Sequence, residues 1–216
     1  MAEPTAVKPV GTMSGLQPSV AVVLLRDDEG VLLPLEPARW HAMTSAAEDR
    51  ILDGLRGPVL DVGCGPGRIV QRLAGQGTIA LGVDPAPAAV ALARSRGCSV
   101  LQRSVFAPLP GEGRWGSVLL LDGNVGIGGD PVRLLARCRG LIGERGTVLA
   151  EVERPGQTWR RGRARLERDG QIGTWFDWAV VGVDAIAELA TRAGLVVEAV
   201  MVSDDERWFA SMVRDG

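Results

Sequence analysis

From residue 59 to residue 152 the chain alternates short apolar runs with stretches of helical periodicity, and this alternation constrains its fold more than any other feature. Apolar runs without alternating polar residues are typical of strands buried on both faces, and intervening helices make such strands parallel. The sequence therefore predicts a doubly wound α/β fold whose sheet is covered on both sides. The predicted strands of this region are Val59–Val62, Ile79–Val83, Ser99–Leu101, Ser117–Leu121 and Gly146–Val152.

The segments that follow this region extend the same fold. A polar turn, Ser203–Glu206, joins the apolar runs Leu195–Val202 and Trp208–Val213, and a predicted helix over Asp184–Ala193 precedes them. A closing hairpin of this kind adds one antiparallel strand to a parallel sheet. Residues 158–182 are first rich in arginine and then in tryptophan, and we expect an antiparallel hairpin there.

Before residue 59 the sequence predicts three elements. Residues 1–18 contain three prolines and no apolar periodicity, which favours a disordered leader. Two apolar runs around the polar turn Asp27–Gly30 predict a β-hairpin. Apolar residues then recur at three- and four-residue steps from Trp40 to Leu55, which predicts an amphipathic helix that closes at Gly57-Pro58.

These elements are expected to form one domain after the leader, because a chain of 216 residues can bury a single sizeable core. We expect this domain to span residues 19–216. Its predicted parts are an N-terminal hairpin and helix (19–57), a ligand-binding core (58–152), an insertion (155–182) and a closing helix and strand hairpin (183–216).

Composition and charge disfavour several classes of function. The 24 basic and 26 acidic residues nearly cancel, which argues against nucleic acid as a partner. Three widely spaced cysteines and one histidine predict neither a disulfide framework nor a metal site, and a cytoplasmic location fits best. The apolar run Val20–Leu25 is far too short to cross a membrane, so no membrane is expected as a partner. Nothing in the sequence predicts an oligomeric state.

The first predicted strand of the core ends in a glycine-rich turn, Asp61-Val-Gly-Cys-Gly-Pro-Gly-Arg68. Glycines at a strand-to-helix turn let backbone N–H groups approach a ligand, and ligands of open α/β sheets lie at the carboxyl ends of the strands. Asp84 ends the second strand, 21 residues after Gly63, where a carboxylate can bind both hydroxyls of a ribose. The turn and Asp84 together predict an adenosine-containing cofactor.

The position of the third glycine distinguishes between such cofactors. A dinucleotide fingerprint requires glycine at position 68, but this position is Arg68 and the third glycine is Gly67. The spacing Asp-x-Gly-x-Gly-x-Gly instead resembles motif I of the class I S-adenosylmethionine-dependent methyltransferases, and Gly82-Val-Asp84 resembles their motif II. The resemblance covers residues 58–152 and extends more loosely to the C-terminus.

This resemblance implies a Rossmann-like sheet of seven strands, mostly parallel with one antiparallel strand, and S-adenosyl-L-methionine as the cofactor. It implies that Asp61 and the turn lie near the methionine end, Asp84 on the ribose and Ser104–Phe106 beside the adenine. Ser104 departs from the family pattern, since many members have an acidic residue there. The predicted cofactor-binding residues are Asp61, Gly63, Cys64, Gly65, Gly67, Asp84, Pro85, Ser104, Val105, Phe106 and Asp122.

Methyl transfer from a sulfonium depends on alignment and on a dry site more than on a catalytic triad. An oxygen or nitrogen acceptor can still require a base, and the candidates are His41, the only histidine, and Asp122, which follows the fourth predicted strand. The resemblance implies that the N-terminal segment folds over the cofactor and brings His41 into range. A surface or helix-cap position is the alternative interpretation of His41.

Candidate substrate-binding residues lie in three places: Trp40 beside His41, Asn124 after the fourth strand, and the insertion. In the insertion, Arg161 and Arg163 share one face of a predicted strand. They form either a solvated edge that prevents association or a clamp for an anionic acceptor. Trp175, Phe176 and Trp178 follow and either line an apolar acceptor pocket or belong to the core.

These expectations describe a small cytoplasmic methyltransferase that acts on the oxygen or nitrogen of a small molecule. The N-terminal hairpin and residues 155–182 would form its substrate lid. One alternative is a non-catalytic subunit that binds S-adenosylmethionine, because methyl transfer needs no obligatory catalytic signature. The other is a nucleotide-dependent oxidoreductase, which Arg68 disfavours.

Overall fold

The structure, a computed structural model, describes residues 23–30, 32–33, 44–168 and 171–216. The predicted leader and the candidates Trp40 and His41 lie outside these residues. The helices are α1 (Ala46–Asp53), α2 (Arg68–Gly75), α3 (Pro87–Ser95), α4 (Pro131–Leu141) and α5 (Val183–Arg192), with a 3₁₀ helix over Asn124–Gly126. The strands are β1 (Val23–Asp27), β2 (Leu32–Leu33), β3 (Val59–Val62), β4 (Ala80–Asp84), β5 (Val100–Gln102), β6 (Trp115–Leu120), β7 (Ile142–Val152), β8 (Trp159–Arg168), β9 (Gln171–Ile172), β10 (Phe176–Val181), β11 (Leu195–Val202) and β12 (Trp208–Arg214).

Seven of these strands form the main sheet in the order β11-β12-β7-β6-β3-β4-β5. The pairs among β3 to β7 are parallel, and β12 runs antiparallel to both of its neighbours. The predicted doubly wound sheet with one antiparallel strand is therefore confirmed. Because parallel strands place their carboxyl ends at one edge, the turns after β3, β4 and β6 meet there.

Apolar side chains of the main sheet are buried on both faces, which explains the uninterrupted apolar runs. In β6, Val118 and Leu120 pack with α4 and α5, whereas Leu119 packs on the opposite face with α1 and α2. Alternate residues of one strand thus enter two different cores. A strand that is buried on both faces has little room for a charged residue.

The remaining strands form a second, antiparallel sheet in the order β10-β8-β1-β2, with β9 paired to β8; we call it the lid sheet. Strands β8 and β10 pair as the hairpin that was expected within residues 158–182. Strand β1 pairs with the other edge of β8, so Leu25 lies opposite Leu166. The N-terminal hairpin and the insertion, which the sequence analysis treated separately, therefore form one sheet.

The lid sheet is joined to the main sheet through the backbone of β10. A Cβ atom on Gly126 would lie 1.9 Å from the carbonyl oxygen of Ala179, so only glycine allows this approach. Ile127 forms an antiparallel bridge with Trp178, and the Glu153 N–H donates to Val181 O at 2.8 Å. These contacts hold the lid sheet at the carboxyl edge of β6 and β7.

Helix α1 begins later than the periodicity predicts. Ser45 is its N-cap: the Ser45 hydroxyl accepts from the Glu48 N–H at 3.1 Å, and the Glu48 carboxylate accepts from the Ser45 N–H at 3.0 Å. This capping box starts α1 at Ala46, because its hydrogen bonds compensate the open helix end. The part of the predicted helix from Trp40 to Met43 lies outside the described residues. The helix ends at Asp53, before the predicted stop at Gly57-Pro58.

Candidate functional site

The turn between β3 and α2 has the backbone conformation that its glycines predict. Gly63, Gly65 and Gly67 have φ angles of 71°, 52° and 82°, in the left-handed region that disfavours other residues. A Cβ on Gly63 would lie 2.6 Å from Asn124 Nδ2, and one on Gly67 would lie 2.8 Å from Cys98 Sγ. A Cβ on Gly65 would have no atom within 4 Å, so the turn is open to a ligand at this residue.

Asp84, at the end of β4, is tied directly to this turn. Its Oδ2 accepts from the Gly65 N–H at 3.0 Å, and its Oδ1 accepts from the Ala86 N–H at 2.8 Å. Burial raises the pKa of the Asp84 carboxyl, although both backbone hydrogen bonds act in the opposite direction. Pro85, which stands between Asp84 and Ala86 in the sequence, is exposed. The structure thus brings Asp84 next to the open glycine.

Asp61 is the buried acid of the site, with 3% of its surface exposed. Burial raises its pKa to about 7; the positive charge of Arg68 lowers it, whereas the negative charges of Asp122 and Asp84 raise it further. Three carboxylates therefore lie close to one another at this edge of the sheet. Buried carboxylates that are shielded from water favour the binding of a positively charged ligand next to them.

The loop after β6 contacts the glycine turn through Asn124. Its Nδ2 donates to Val62 O at 2.9 Å and to Gly63 O at 3.0 Å. Asp122, at the start of this loop, has a φ of 53°, which is uncommon for a residue with a side chain. The structure therefore brings Asp122 and Asn124 to the same edge as the turn and Asp84.

The Asp122 carboxylate pairs with two arginines. It accepts from Arg68 Nη2 at 3.0 Å and from Arg207 Nη2 at 3.2 Å. Both of these guanidinium groups are buried. These two ion pairs hold the Asp122 side chain in place, which favours a structural role. The role of Asp122 as a base stays a prediction.

The residues expected beside the adenine follow β5. Val105 is buried, Phe106 is half-buried, and the Ser104 hydroxyl accepts from the Phe106 N–H at 3.3 Å. The Arg133 guanidinium lies 4.3 Å above the centre of the Phe106 ring. Phe106 thus has a defined orientation, since a cation over an aromatic face is attracted to it.

Cys64 fills space within the turn, as expected. A Cβ on Gly82 would lie 2.5 Å from its Sγ, so the thiol packs against the backbone of β4. Burial, followed by the charges of Asp61 and Asp84, raises the pKa of the Cys64 thiol. A buried thiol with a raised pKa is a poor nucleophile.

One face of the lid sheet is directed toward the loop after β6. Trp178 shares this face with Gly162, its partner on β8, and the Trp178 ring lies 3.8 Å from the position of a Cβ on Gly123. Phe176 lies on the same face, with its ring centre 5.8 Å from that of Trp178 in an edge-to-face arrangement. Phe176 and Trp178 are two of the three aromatic residues that were expected either to line an acceptor pocket or to belong to the core.

The predicted substrate residues of the insertion lie on the opposite face. Arg161 is the partner of Ala179, and Arg163 follows it on the same side of β8. Trp175 lies 6.0 Å from the guanidinium of Arg163 and 4.7 Å from that of Arg165. The alternation of residues along β8 puts Arg161 and Arg163 on the face opposite to that of Trp178. Because β8 has a partner strand on each side, these arginines do not lie on a sheet edge, and the expected solvated edge is wrong in this respect. Arg161 Nε lies 3.4 Å from the position of a Cβ on Gly129, in the loop after β6, and the anion clamp stays a prediction.

The sequence analysis did not assign the buried charged residues around Asp122 to the site. Arg68 was visible only as a departure from the dinucleotide fingerprint, and Arg207 carries no local signal. Glu151 is a charged residue within the apolar second half of β7, residues 148–152, and such a residue indicates an internal partner. Glu48 belongs to a capping box, which explains its conformation but not its burial.

The described residues contain neither a metal-binding cluster nor a membrane-spanning helix. Among them, no group of three or more histidine, cysteine, aspartate or glutamate side chains is arranged to hold a metal ion. No helix of the same residues is long and apolar enough for a membrane span.

A sequence profile of a protein family described as a methyltransferase domain matches residues 59–139. These residues run from β3 through most of α4 and include the glycine turn, Asp84 and Asn124. A comparison with curated protein sequences found no match.

Solved structures with the same fold include several methyltransferases. An SAM-dependent methyltransferase from Bacteroides fragilis in complex with S-adenosyl-L-homocysteine is 17% identical, with a TM-score of 0.74 over 89% of this chain and 87% of that chain. The sugar N-methyltransferase KedS8 from Streptoalloteichus is 16% identical, with a TM-score of 0.59 over 98% and 100%. The 1,6-didemethyltoxoflavin-N1-methyltransferase from Burkholderia thailandensis is 21% identical, with a TM-score of 0.55 over 78% of each chain. At these identities the likeness shows the fold.

Proposed function

We propose that this chain is a class I S-adenosylmethionine-dependent methyltransferase that transfers the methyl group to an oxygen or nitrogen atom of a small molecule. The observation that carries the proposal is the open turn at Gly65, which Asp84 holds from one side and Asn124 from the other. The cofactor supplies a methyl group on a positively charged sulfur. A turn of this shape next to buried carboxylates fits such a ligand.

In this proposal, different residues of the chain bind different parts of the cofactor. The cofactor can approach the backbone of the turn closely at Gly65 because Gly65 has no side chain, while the Gly65 N–H itself donates to Asp84. Asp84 accepts hydrogen bonds from the ribose, and Asp61 places negative charge near the methionine end. Phe106 and its neighbours Ser104 and Val105 flank the adenine. These roles remain proposals, and they rest on the placement of the residues described above.

The small-molecule class of acceptor has two supports. The names of two structures with the same fold state N-methylation, of a sugar in one and of 1,6-didemethyltoxoflavin in the other. In this chain, the lid sheet places the aromatic side chains of Trp178 and Phe176 near the loop after β6. Aromatic walls of this kind bind apolar or ring-shaped acceptors and exclude water from the reacting atoms.

The base for such an acceptor stays a prediction. His41 and Trp40 lie outside the described residues, and Asp122 is paired with two guanidinium groups. An acceptor amine that binds in its neutral form needs only alignment, because its lone pair is already available. The cytoplasmic location that the cysteine spacing favours is likewise a prediction.

The proposal is tested in two steps. Calorimetry on the purified chain is expected to show binding of S-adenosylhomocysteine and none of NAD⁺. The chain is then incubated with S-adenosylmethionine and a panel of amino sugars, phenols and heteroaromatic amines, and S-adenosylhomocysteine production is measured. Tighter binding of NAD⁺ would contradict the cofactor assignment. Cofactor binding without turnover on any acceptor class, including compounds extracted from the native host, would favour the non-catalytic subunit.

With the acceptor that this screen identifies, the two faces of the lid sheet can be compared. Replacing Trp178 with alanine is expected to raise the acceptor's KM about tenfold, because the ring next to Gly123 is lost. Trp175→Ala is the matched control and is expected to change KM less than about twofold. The S-adenosylhomocysteine affinity of both variants should stay close to that of the wild type. A larger increase in KM for Trp175→Ala than for Trp178→Ala would indicate that the acceptor binds at the face that carries Arg161 and Arg163.

A further inference from the structure

Five charged side chains form a connected network beneath the proposed cofactor site. They come from five segments of the chain: α1, the start of α2, the loop after β6, strand β7 and the turn between β11 and β12. Four of the five are no more than 15% exposed at their side chains, and the fifth is 23% exposed. We call this the buried charge network: Glu48, Arg68, Asp122, Glu151 and Arg207.

Glu48 connects both arginines of the network. Its Oε2 lies 2.8 Å from Arg68 Nη1, and its Oε1 lies 2.5 Å from Arg207 Nη1. Asp122 contacts the same two guanidinium groups from the other side. The four residues therefore close a ring in which each carboxylate bridges both arginines. Glu151 extends this ring, since it binds Arg207 and also accepts from the Asp122 N–H at 2.6 Å.

The charges in this ring depend on one another because they are removed from water. Burial alone would raise the pKa of Glu48, but hydrogen bonds from Arg68, the Ser45 N–H and Arg207 lower it to about 2. Glu48 is therefore ionised at neutral pH. Loss of Glu48 removes one carboxylate partner from each of two buried arginines, which costs more than a surface pair contributes.

The ring acts on the cofactor site through the backbone of Asp122. This residue is held in the left-handed region, and Gly123, with a φ of 79°, reverses the chain so that Asn124 reaches the glycine turn. We propose that Glu48 is a positioning residue for the cofactor site. Through Arg68 and Arg207 it fixes Asp122, and through Asp122 it fixes the contact between Asn124 and Gly63. This inference rests on the proposed function of the site and names a residue of α1 that determines its geometry.

The first test is Glu48→Gln, with Asp49→Asn as the matched control. Asp49 is the next residue of α1 and pairs with Arg72 at 2.8 Å, outside the network. We expect Glu48→Gln to weaken S-adenosylhomocysteine binding about tenfold or more, and Asp49→Asn to change it less than about twofold. Thermal unfolding is recorded for each variant, and affinity is measured on the folded fraction by calorimetry. A folded Glu48→Gln chain with wild-type affinity would overturn the inference.

A double-mutant cycle separates positioning from general support of the fold. If Glu48 acts through Asn124, the combination of Glu48→Gln with Asn124→Ala weakens binding little more than Asn124→Ala alone. Additive effects of the two changes would overturn the inference. Should Glu48→Gln not fold, Glu48→Asp takes its place in the cycle. It keeps the negative charge but is too short to bridge both arginines, and we expect affinity about threefold lower. Wild-type affinity of Glu48→Asp would then overturn the inference.

Failure of the proposed function and failure of the role proposed for Glu48 give different results in these experiments. A wild-type chain that does not bind S-adenosylhomocysteine refutes the cofactor assignment itself. A wild-type chain that binds it, with an equally tight Glu48→Gln variant, refutes only the role of Glu48.

Discussion

Replacing Asp84 with alanine is expected to weaken S-adenosylhomocysteine binding by about 1.5–3 kcal/mol, which is roughly 10- to 150-fold. Two losses add up in this variant. The carboxylate no longer accepts hydrogen bonds from the ribose hydroxyls that we propose it binds. The Gly65 N–H also loses its acceptor at 3.0 Å, so the open part of the glycine turn is no longer tied to β4.

Two further variants make this result specific. Asp84→Asn keeps the size of the side chain and one oxygen for the Gly65 N–H, so we expect an intermediate loss of affinity. Asp215→Ala removes an exposed carboxylate near the C-terminus and should leave the affinity unchanged. Calorimetry at one pH and one salt concentration measures all three. Unchanged affinity of Asp84→Ala would remove Asp84 from the cofactor site.

The second large effect concerns Asp61 and is visible as a dependence of stability on pH. Its pKa in the folded chain is about 7, well above its ordinary value of 3.8, so the folded state holds this proton more tightly than the unfolded state. The contribution of Asp61 to stability is therefore fully present below pH 4 and is lost as the pH rises through 7. Asp61→Asn removes this loss, because asparagine does not ionise. We expect Asp61→Asn to be more stable than the wild type at pH 8, by up to about 4 kcal/mol, and nearly equal to it at pH 4.

The same residue should make cofactor binding depend on pH. S-Adenosylmethionine carries a positive sulfur, and an ionised Asp61 attracts it, so wild-type affinity is expected to fall as the pH decreases from 8 to 6. The Asp61→Asn chain should bind more weakly, and its affinity should change little over this range. Urea unfolding and calorimetry at several pH values measure both effects, with the exposed Asp53→Asn as the control variant. A wild-type stability that does not decrease above pH 7 relative to Asp61→Asn would contradict this assignment.

The parts of the site that could be predicted from the sequence are those that depend on residues close together in the sequence. The glycine turn is encoded by three residues that tolerate a positive φ within five positions, and Asp84 comes one helix and one strand later, at the end of β4. The parallel sheet was predictable for a similar reason, because an uninterrupted apolar run by itself indicates a strand that is buried on both faces. Local patterns of this kind require no knowledge of the distant parts of the chain.

The parts that were missed depend on distant residues. Glu48 and Arg207 are 159 positions apart, and neither carries a pattern that indicates the other. Strand alternation correctly places Arg161 and Arg163 on one side of β8, but it does not indicate which side is directed toward the cofactor. That orientation is set by the approach of Ala179 in β10 to Gly126 at the end of the 3₁₀ helix, a contact between segments that are distant in sequence. The start of α1 at Ala46 was missed because the apolar periodicity continues through Ser45, whereas the Ser45 cap sets this end of the helix.

The pairing of β1 with β8 has a consequence for how the chain folds. Arg26 on β1 and Glu167 on β8 are 141 positions apart and lie 3.0 Å from each other at their charged atoms. Closing so long a loop is slow, whereas the β–α units of the main sheet pair strands that are close in sequence. We therefore expect the glycine turn and Asp84 to be assembled before the lid sheet is complete. During synthesis, β1 leaves the ribosome long before its partner strand exists, and the nucleotide end of the site forms while the acceptor end is still open.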